Sequence, residues 1–285
     1  GKGGVGKTTC AAATALSCAS SGKKTLAIST DATPSLFHIF AVNGREKPLQ
    51  VNDALYLSEL GDAEVREMWH GKFGREVYEV FSSFVDVDYD TFGEFMTSVL
   101  PGLGDEFMVD YIRELSLRDG YDTIVWDTAP LGQTLALLQT PALLEKHLRM
   151  APRIYSKLKH GSRSREPILD ILKRWEKLSA ENMDFLRENV QFTLVTIPEA
   201  LAVAQLDGVF RELGKYGLKV QQIIINNVVK TEDSAFLKVK ASQQKVYLEQ
   251  IYRKFADIAI IELPMFPHEL MGEEKLGGVV EVLFP

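Results

Sequence analysis

The first nine residues form a glycine-rich run whose residue types and spacing suit the binding of phosphate groups. Gly1, Gly6, Lys7 and Thr8 fill the pattern G-x-x-x-x-G-K-[S/T]. In such a loop, backbone N–H groups surround phosphates, the lysine reaches the β- and γ-phosphate oxygens, and the hydroxyl holds Mg²⁺. We therefore expect a nucleoside triphosphate and Mg²⁺ to be bound by the whole run, which comprises Gly1, Lys2, Gly3, Gly4, Val5, Gly6, Lys7, Thr8 and Thr9.

A second lysine in this run, Lys2, is not required by the loop geometry. It precedes the turn, so we expect its side chain to point away from the phosphates that its own loop holds. Phosphoryl transfer needs extra positive charge at the γ-phosphate, which other nucleotidases take from an arginine finger. A homodimer with two-fold symmetry would let Lys2 of each subunit serve the site of the other.

Two acidic residues directly follow apolar runs that are typical of strands. Asp31 follows Thr25–Thr30 and could orient or deprotonate an attacking water. Asp127 follows Thr123–Trp126 and could hold Mg²⁺, through a bound water. Either acid could instead cap the start of a helix. Together with Lys7 and Lys2, Asp31 gives the predicted catalytic set of a nucleoside-triphosphate hydrolase.

Composition limits the function classes. The formal net charge of −7 and the isoelectric point near 5.4 argue against broad nucleic-acid binding, which needs clustered cations. The stretch from Arg149 to Arg165 is a local exception to this acidic composition because it is rich in Arg and Lys. It could be a solvated surface, or it could contact an acidic partner or a membrane. No uninterrupted apolar segment is long enough for stable membrane insertion, and no secretory leader is visible, so we expect a cytoplasmic protein.

Short apolar runs alternate with helical stretches, which predicts an α/β fold with a mostly parallel sheet flanked by helices. The polar residues that follow each run should meet at the carboxyl edge of the sheet, where such folds bind ligands. A phosphate loop normally follows a buried strand, and we expect such a strand before Gly1. The predicted strands are Thr25–Thr30, Thr123–Trp126, Gln191–Thr196, Val220–Ile225 and Ile258–Ile261.

Two long stretches with helical periodicity interrupt this alternation. They predict a core of residues 1–54, 121–139 and 191–285, with helical insertions at 55–120 and 140–190 that form a subdomain. An apolar stripe of this kind is either buried within its own helical bundle or exposed in a groove for a hydrophobic client or partner. The groove candidates are Met68, Trp69, Phe73, Phe81, Phe95, Met96, Phe107 and Met108.

Taken together, these motifs resemble those of the deviant Walker A ATPases. Within that class the chain is similar to the ArsA/TRC40 family, which contains arsenite pump-driving ATPases and targeting ATPases for tail-anchored membrane proteins. Its single phosphate loop resembles the single-half archaeal or eukaryotic type. The matching segments are Gly1–Thr9, Ser29–Leu36, Asp127–Leu135, Thr196–Glu199, Asn226–Asn227 and Leu263–Gly272.

The resemblance implies roles for particular residues. Asp31 matches the residue that activates water, Asn226 the residue that reads the adenine edge, and Pro264, Met265 and Phe266 the loop beside the base. It also implies ATP-driven closure of a homodimer, a hydrophobic transmembrane-helix client and a membrane receptor.

The family's C-x-x-C zinc clamp is missing, and Phe37–His38 stands where relatives carry polar residues.

The leading hypothesis is an ATPase that targets membrane-protein clients. A second is an arsenite-activated pump motor, although the only cysteines, Cys10 and Cys18, lie beside the phosphate loop. A third is a nucleotide switch that acts on another protein partner.

Overall fold

The computed structural model describes residues 4–30, 35–44, 48–82, 88–89, 103–118, 120–128 and 168–285. Contacts divide the chain into two compact units. The first comprises Gly1–Leu60, Leu115–Leu135 and Val190–Pro285, and the second comprises Gly61–Glu114 and Ala136–Asn189.

Helices and strands alternate through the described parts of the first unit. In chain order the described elements are α1 Lys7–Ser20, β1 Thr25–Ser29, α2 Leu36–Ile39, β2 Leu49–Gln50, β3 Leu55–Glu59, α3 Asp62–Trp69, α4 Arg75–Ser82, α5 Leu103–Arg118, β4 Thr123–Asp127, α6 Ile168–Glu188, β5 Phe192–Thr196, α7 Ala200–Lys215, β6 Val220–Val228, α8 Ala235–Lys254, β7 Ala259–Pro264 and α9 Gly272–Leu283.

The strands form two ladders. One has the order β2-β3-β1-β4, in which β1 is parallel to β3 and β4, and β2 pairs antiparallel with β3 at the edge. The other has the order β5-β6-β7 and is parallel throughout. All five residues of β1 are buried, as expected for a strand of a parallel sheet that is covered on both faces. The predicted α/β class with mostly parallel strands is confirmed.

Helix α1 packs against both ladders. Ala12, Ala15 and Leu16 join a core cluster with Ala27 of β1 and with β3. Cys10 and Ala13, on the same helix, join another cluster with Val195 of β5, Ile224 of β6 and Leu263 of β7. Alanine is small, so the helix backbone can approach the strands closely and fill the interior without voids.

The second unit is helical in its described part. Helices α3 and α4 are continuous through a π-helical turn at His70–Gly74. A buried carboxylate, Asp110 of α5, forms ion pairs with Lys72 and, at 3.1 Å, with Arg113. Since Asp110 is only 1% exposed, these cations offset the cost of burying its charge. None of the helices in the described parts is long and apolar enough to cross a membrane.

One boundary differs from the sequence prediction. The first helical insertion was placed from residue 55, whereas Leu55–Glu59 is strand β3, paired in parallel with β1 from Thr25↔Leu55 to Ser29↔Glu59. The strand is short and continues into the helical periodicity of α3, so the two patterns merge in the sequence. The five predicted strands all form, with ends that differ by up to three residues.

Candidate functional site

The phosphate loop leads directly into α1. Gly6 adopts a left-handed conformation with φ of 93° and precedes Lys7, the first residue of the helix. The amide of Cys10 donates to the Gly6 carbonyl at 3.0 Å, which closes the first turn. The N–H groups of Lys7, Thr8 and Thr9 lie in that first turn, where an α-helix has no internal acceptors for them and carries partial positive charge. This end of α1 is therefore suited to an anion.

Gly6 is in close contact with Asn226 of β6. A Cβ atom built on Gly6 would lie 2.2 Å from Asn226 Nδ2, so a side chain at this position cannot be accommodated without movement. Asn226 Nδ2 donates a hydrogen bond to the Val5 carbonyl at 2.9 Å. Asn226 is 8% exposed, and this bond links the end of β6 to the phosphate loop.

A cleft of about 350 Å³ opens beside this contact. Gly4, Gly6 and Thr9 line one part of it, and Asn226, Phe266 and Leu270 line another. Its volume is within the range of small-molecule sites. The cleft thus joins a helix start suited to an anion to a wall that carries both apolar and polar side chains, including the Phe266 ring and the Asn226 amide, a combination that suits the phosphates and base of a nucleotide.

The predicted base loop enters the cleft at Phe266 alone. Phe266 is a lining residue, whereas Pro264 and Met265 are not. Met265 is 40% exposed, and its amide donates to the Val228 carbonyl at 2.9 Å. Pro264 and Met265 therefore connect the ends of β7 and β6 and place Phe266. That this segment lies beside the base stays a prediction.

The ends of β1 and β4 are joined beside α1. Ser29 and Asp127 are paired in register, and Ser29 Oγ donates to Asp127 Oδ2 at 3.3 Å. The Thr30 amide donates to the Asp127 carbonyl at 3.2 Å, and Trp126 Nε1 donates to Thr30 Oγ1 at 3.0 Å. The residue before Asp31 is therefore tied to the strand that carries Asp127.

Asp127 also lies near the first turn of α1. Burial raises the pKa of the Cys10 thiol to about 12, and the negative charge of Asp127 contributes to this rise. Cys10 is two positions after Thr8 in the helix. The residues predicted to hold Mg²⁺ are Thr8, through its hydroxyl, and Asp127, through a bound water; Asp127 is 2% exposed at the end of its strand. Mg²⁺ prefers oxygen ligands and is commonly held by one carboxylate with phosphates and waters, so these residues fit the ion.

Comparison with known proteins identifies the family. A protein-family model described as anion-transporting ATPase, of the ArsA type, matches residues 1–284. The chain belongs to the ArsA-type ATPase family. It is 30% identical to a putative arsenical pump-driving ATPase 2 of Aquifex aeolicus, over 97% of this chain and 94% of that protein. It is also 30% identical to ATPase GET3A of Arabidopsis thaliana, over 97% of this chain and 80% of that one. An ATPase get3 of Botryotinia fuckeliana is 28% identical over 99% of this chain and 87% of its own length.

Several predicted site residues of this ArsA-type ATPase lie outside the described residues. These are Gly1, Lys2, Gly3, Asp31, Phe95 and Met96, and the same holds for the side chains of Phe81 and Phe107.

Two groove candidates lie in the interior of the second unit. Trp69 is 7% exposed and Met108 is 2% exposed, so neither lines an open groove in this conformation. Met68 and Phe73 are half-buried, and the Lys72 ammonium lies 5.2 Å from the centre of the Phe73 ring.

The structure adds residues that the sequence analysis did not place in the site. His38 of α2, together with Asn227, His268, Glu269 and Met271, lines the same cleft. The sequence analysis noted Phe37–His38 as a departure from the family pattern. It could not place His38 in the cleft, because that position depends on how α2 packs. The sequence near Trp126 did not indicate its hydrogen bond to Thr30, because the two residues are 96 positions apart in the chain.

The contact between Gly6 and Asn226 predicts a specific loss of ATP binding. In Gly6→Ala the new Cβ would displace Asn226 and strain a left-handed residue, so we expect ATP to bind at least about tenfold more weakly. Isothermal titration calorimetry would measure this affinity. Gly22→Ala is the matched control, since Gly22 has φ of 83° with open space around it at the far end of α1. The steric argument is wrong if both variants bind ATP as the wild type does.

Proposed function

We propose that this ArsA-type ATPase binds ATP in the cleft between the phosphate loop and the Asn226–Phe266 wall and hydrolyses it with Mg²⁺. The observation that carries the proposal is the single cleft that joins the start of α1 to an amide and an aromatic ring. In this arrangement the triphosphate lies against the first turn of α1, and the base lies beside Phe266 and Asn226.

The chain's own residues divide the work of hydrolysis. The loop amides and Lys7 hold the β- and γ-phosphates, and the Thr8 hydroxyl and Asp127 carboxylate hold the metal shell. Bound Mg²⁺ supplies neutralising charge on the phosphate oxygens. Asp31 orients a water and accepts its proton as the water oxygen bonds to the γ-phosphorus, while the bond from that phosphorus to the bridging oxygen breaks and releases ADP.

Asp31→Asn tests the water-activating role. The amide cannot accept the proton as a carboxylate does, so we expect ATP affinity to be retained and turnover to fall at least about 100-fold. Single-turnover assays and ATP-binding titrations measure the two quantities separately. Asp53→Asn, in the exposed turn before β3, is a matched control at the opposite edge of the sheet. Full-speed hydrolysis by Asp31→Asn would remove Asp31 from this role.

We further propose that two copies of the chain close around their nucleotides, with Lys2 of each copy contacting the γ-phosphate held by the other. The support is chemical. The transferred phosphoryl group needs compensating positive charge, and a lysine before the turn is placed to serve a neighbouring site. In a symmetric pair both sites gain the same contact.

Mixing two inactive variants tests whether Lys2 acts between subunits. Lys2→Ala lacks the donated lysine and Asp31→Asn lacks the acid, so each alone should hydrolyse ATP slowly. A mixed dimer would contain one complete site, and random pairing should restore about a quarter of wild-type activity. Lys23→Ala, an exposed lysine after α1, is the control for loss of charge. If mixing restores no activity although a tag on one variant co-purifies the other variant, the exchange of lysines is wrong.

For the cellular role, we propose that ATP-driven closure controls binding of a hydrophobic helix of a membrane-protein client, which is then passed to a membrane receptor. The aromatic and methionine content of the second unit supports this. Because Trp69 and Met108 are buried in this conformation, client binding requires the helices of that unit to move apart. A change of ATP state is the proposed cause of that movement.

The alternative role, driving an arsenite pump, has support in the similarity to the Aquifex aeolicus relative, which is named as an arsenical pump-driving ATPase. As(III) needs soft thiolate ligands. Cys10 and Cys18 are on the same helix, eight residues and therefore about 12 Å apart, and Cys10 is 3% exposed. Two thiols at that separation do not share one ion, so the described cysteines disfavour this role.

Client capture distinguishes the roles. We expect Asp31→Asn, co-expressed with a protein that ends in one transmembrane helix, to yield a soluble complex. The matched client carries charged residues within that helix and should not be captured, because burial of unpaired charge in an apolar groove is costly. Complexes would be isolated by affinity purification and identified by mass spectrometry. Capture of one folded partner without membrane proteins would favour the switch role, and arsenite-stimulated hydrolysis would favour the pump role.

A further inference from the structure

An irregularity in the pairing of β6 spans Asn226. The pairing of β6 with β7 runs Ile225↔Glu262 and then Val228↔Pro264, so β6 uses one more residue than β7 over this interval. The extra residue forms a β-bulge, a feature that re-aims side chains and frequently occurs beside active sites. Asn227 lies within this interval and has φ of 59°, a left-handed conformation that asparagine tolerates better than most residues.

A glutamine on α8 holds the backbone of this bulge. Gln244 Nε2 donates to the Asn227 carbonyl at 2.9 Å, and Gln244 Oε1 accepts from the Val229 amide at 2.8 Å. The side-chain amide thus supplies a donor and an acceptor where the pairing of β6 is irregular. Gln244 is 4% exposed, so the loss of its amide would leave two backbone groups in a site that water enters poorly.

The helix that carries Gln244 is itself anchored on the same ladder. Tyr252 donates to Glu262 Oε1 of β7 at 2.9 Å, and Ile251 is fully buried. The rings of Phe210 on α7 and Phe255 after α8 stack with centroids 4.5 Å apart. A side chain on a helix held in this way can act as a rigid support for a neighbouring loop.

These contacts form a continuous path from α8 to the phosphate loop. Gln244 holds the backbone within the bulge and just beyond it, Asn226 lies in the same bulge, and Asn226 donates to the Val5 carbonyl beside Gly6. We infer that Gln244 is a positioning residue for nucleotide recognition: it fixes the Asn226 amide at the base wall and so sets the preference for adenine. This inference rests on the proposed function of the cleft.

Substitution of Gln244 should therefore alter base preference more than turnover. In Gln244→Leu the side chain keeps a similar size but loses both hydrogen bonds, and we expect the ratio of GTP to ATP dissociation constants to fall about tenfold. The KM for ATP should rise, whereas kcat at saturating ATP should change less, because α1 and the strand-end acids are held by other contacts. Gln243→Leu is the matched control, because Gln243 precedes Gln244 on α8 and is exposed.

A double-mutant cycle separates positioning from a general loss of stability. If Gln244 acts through Asn226, Gln244→Leu should have no further effect on the GTP-to-ATP ratio in an Asn226→Ala background. Asn227→Val should also lower the ratio, because a β-branched residue opposes the left-handed conformation of the bulge. Fluorescent ATP and GTP analogues would report both affinities, and thermal unfolding would confirm that each variant is folded at the assay temperature.

The outcomes are distinct. A folded Gln244→Leu variant with wild-type base preference overturns this inference and leaves the proposed function standing. Additive effects of Gln244→Leu and Asn226→Ala also overturn it, because they show that Gln244 does not act through Asn226. A wild-type protein that binds neither nucleotide overturns the proposed function, and this inference with it.

Discussion

Packing of α1 against both ladders is the constraint on which the site depends. Ala12 and Ala15 face one core cluster, and Cys10 and Ala13 face the other. The helix starts at the phosphate loop, so its packing also determines where the loop lies relative to the ends of the strands. Larger side chains on these faces would move the helix outward, and the loop would separate from Asp127 and Asn226. The small residues of α1 therefore have a functional consequence as well as a structural one.

Hydrogen bonds join the end of β1 to the end of β4. Ser29 and Thr30 at the end of β1 both bond to Asp127, and Trp126 bonds to Thr30. In the proposed mechanism Asp31 orients the water that attacks the γ-phosphate, and Asp127 helps to hold Mg²⁺. The hydrogen bonds between the two strands offer a physical route by which a movement of one acid alters the position of the other. Switching proteins use couplings of this kind.

The second unit poses a different physical problem. Its described interior holds Trp69 and Met108, and a cluster of cations neutralises the buried Asp110. Buried ion pairs contribute little to net stability but strongly disfavour arrangements in which one partner is left alone. A rearrangement that opens this unit for a client would have to keep Asp110 paired. This requirement favours movement of α5 and the Lys72 segment together.

Prediction from sequence succeeded where the pattern is local. The buried parallel strands were recognisable because each is a nearly continuous apolar run, whereas the phosphate-binding role of the glycine-rich run stays a prediction. Prediction failed at β3, since a five-residue strand that leads into a helical repeat has no boundary of its own. The sequence also could not indicate that Phe266 lines the cleft while Pro264 and Met265 do not.

The sequence by itself determined the fold class and the order of the buried strands, because these depend on short-range spacing and on which residues can be buried. The tertiary structure alone decided the contact between Gly6 and Asn226, the bulge at Asn227 and its support by Gln244. Asn226 and Val5 are 221 residues apart in the chain, and the bulge exists only in the register between two strands. No local pattern encodes such contacts, because they result from how the helices and strands pack together.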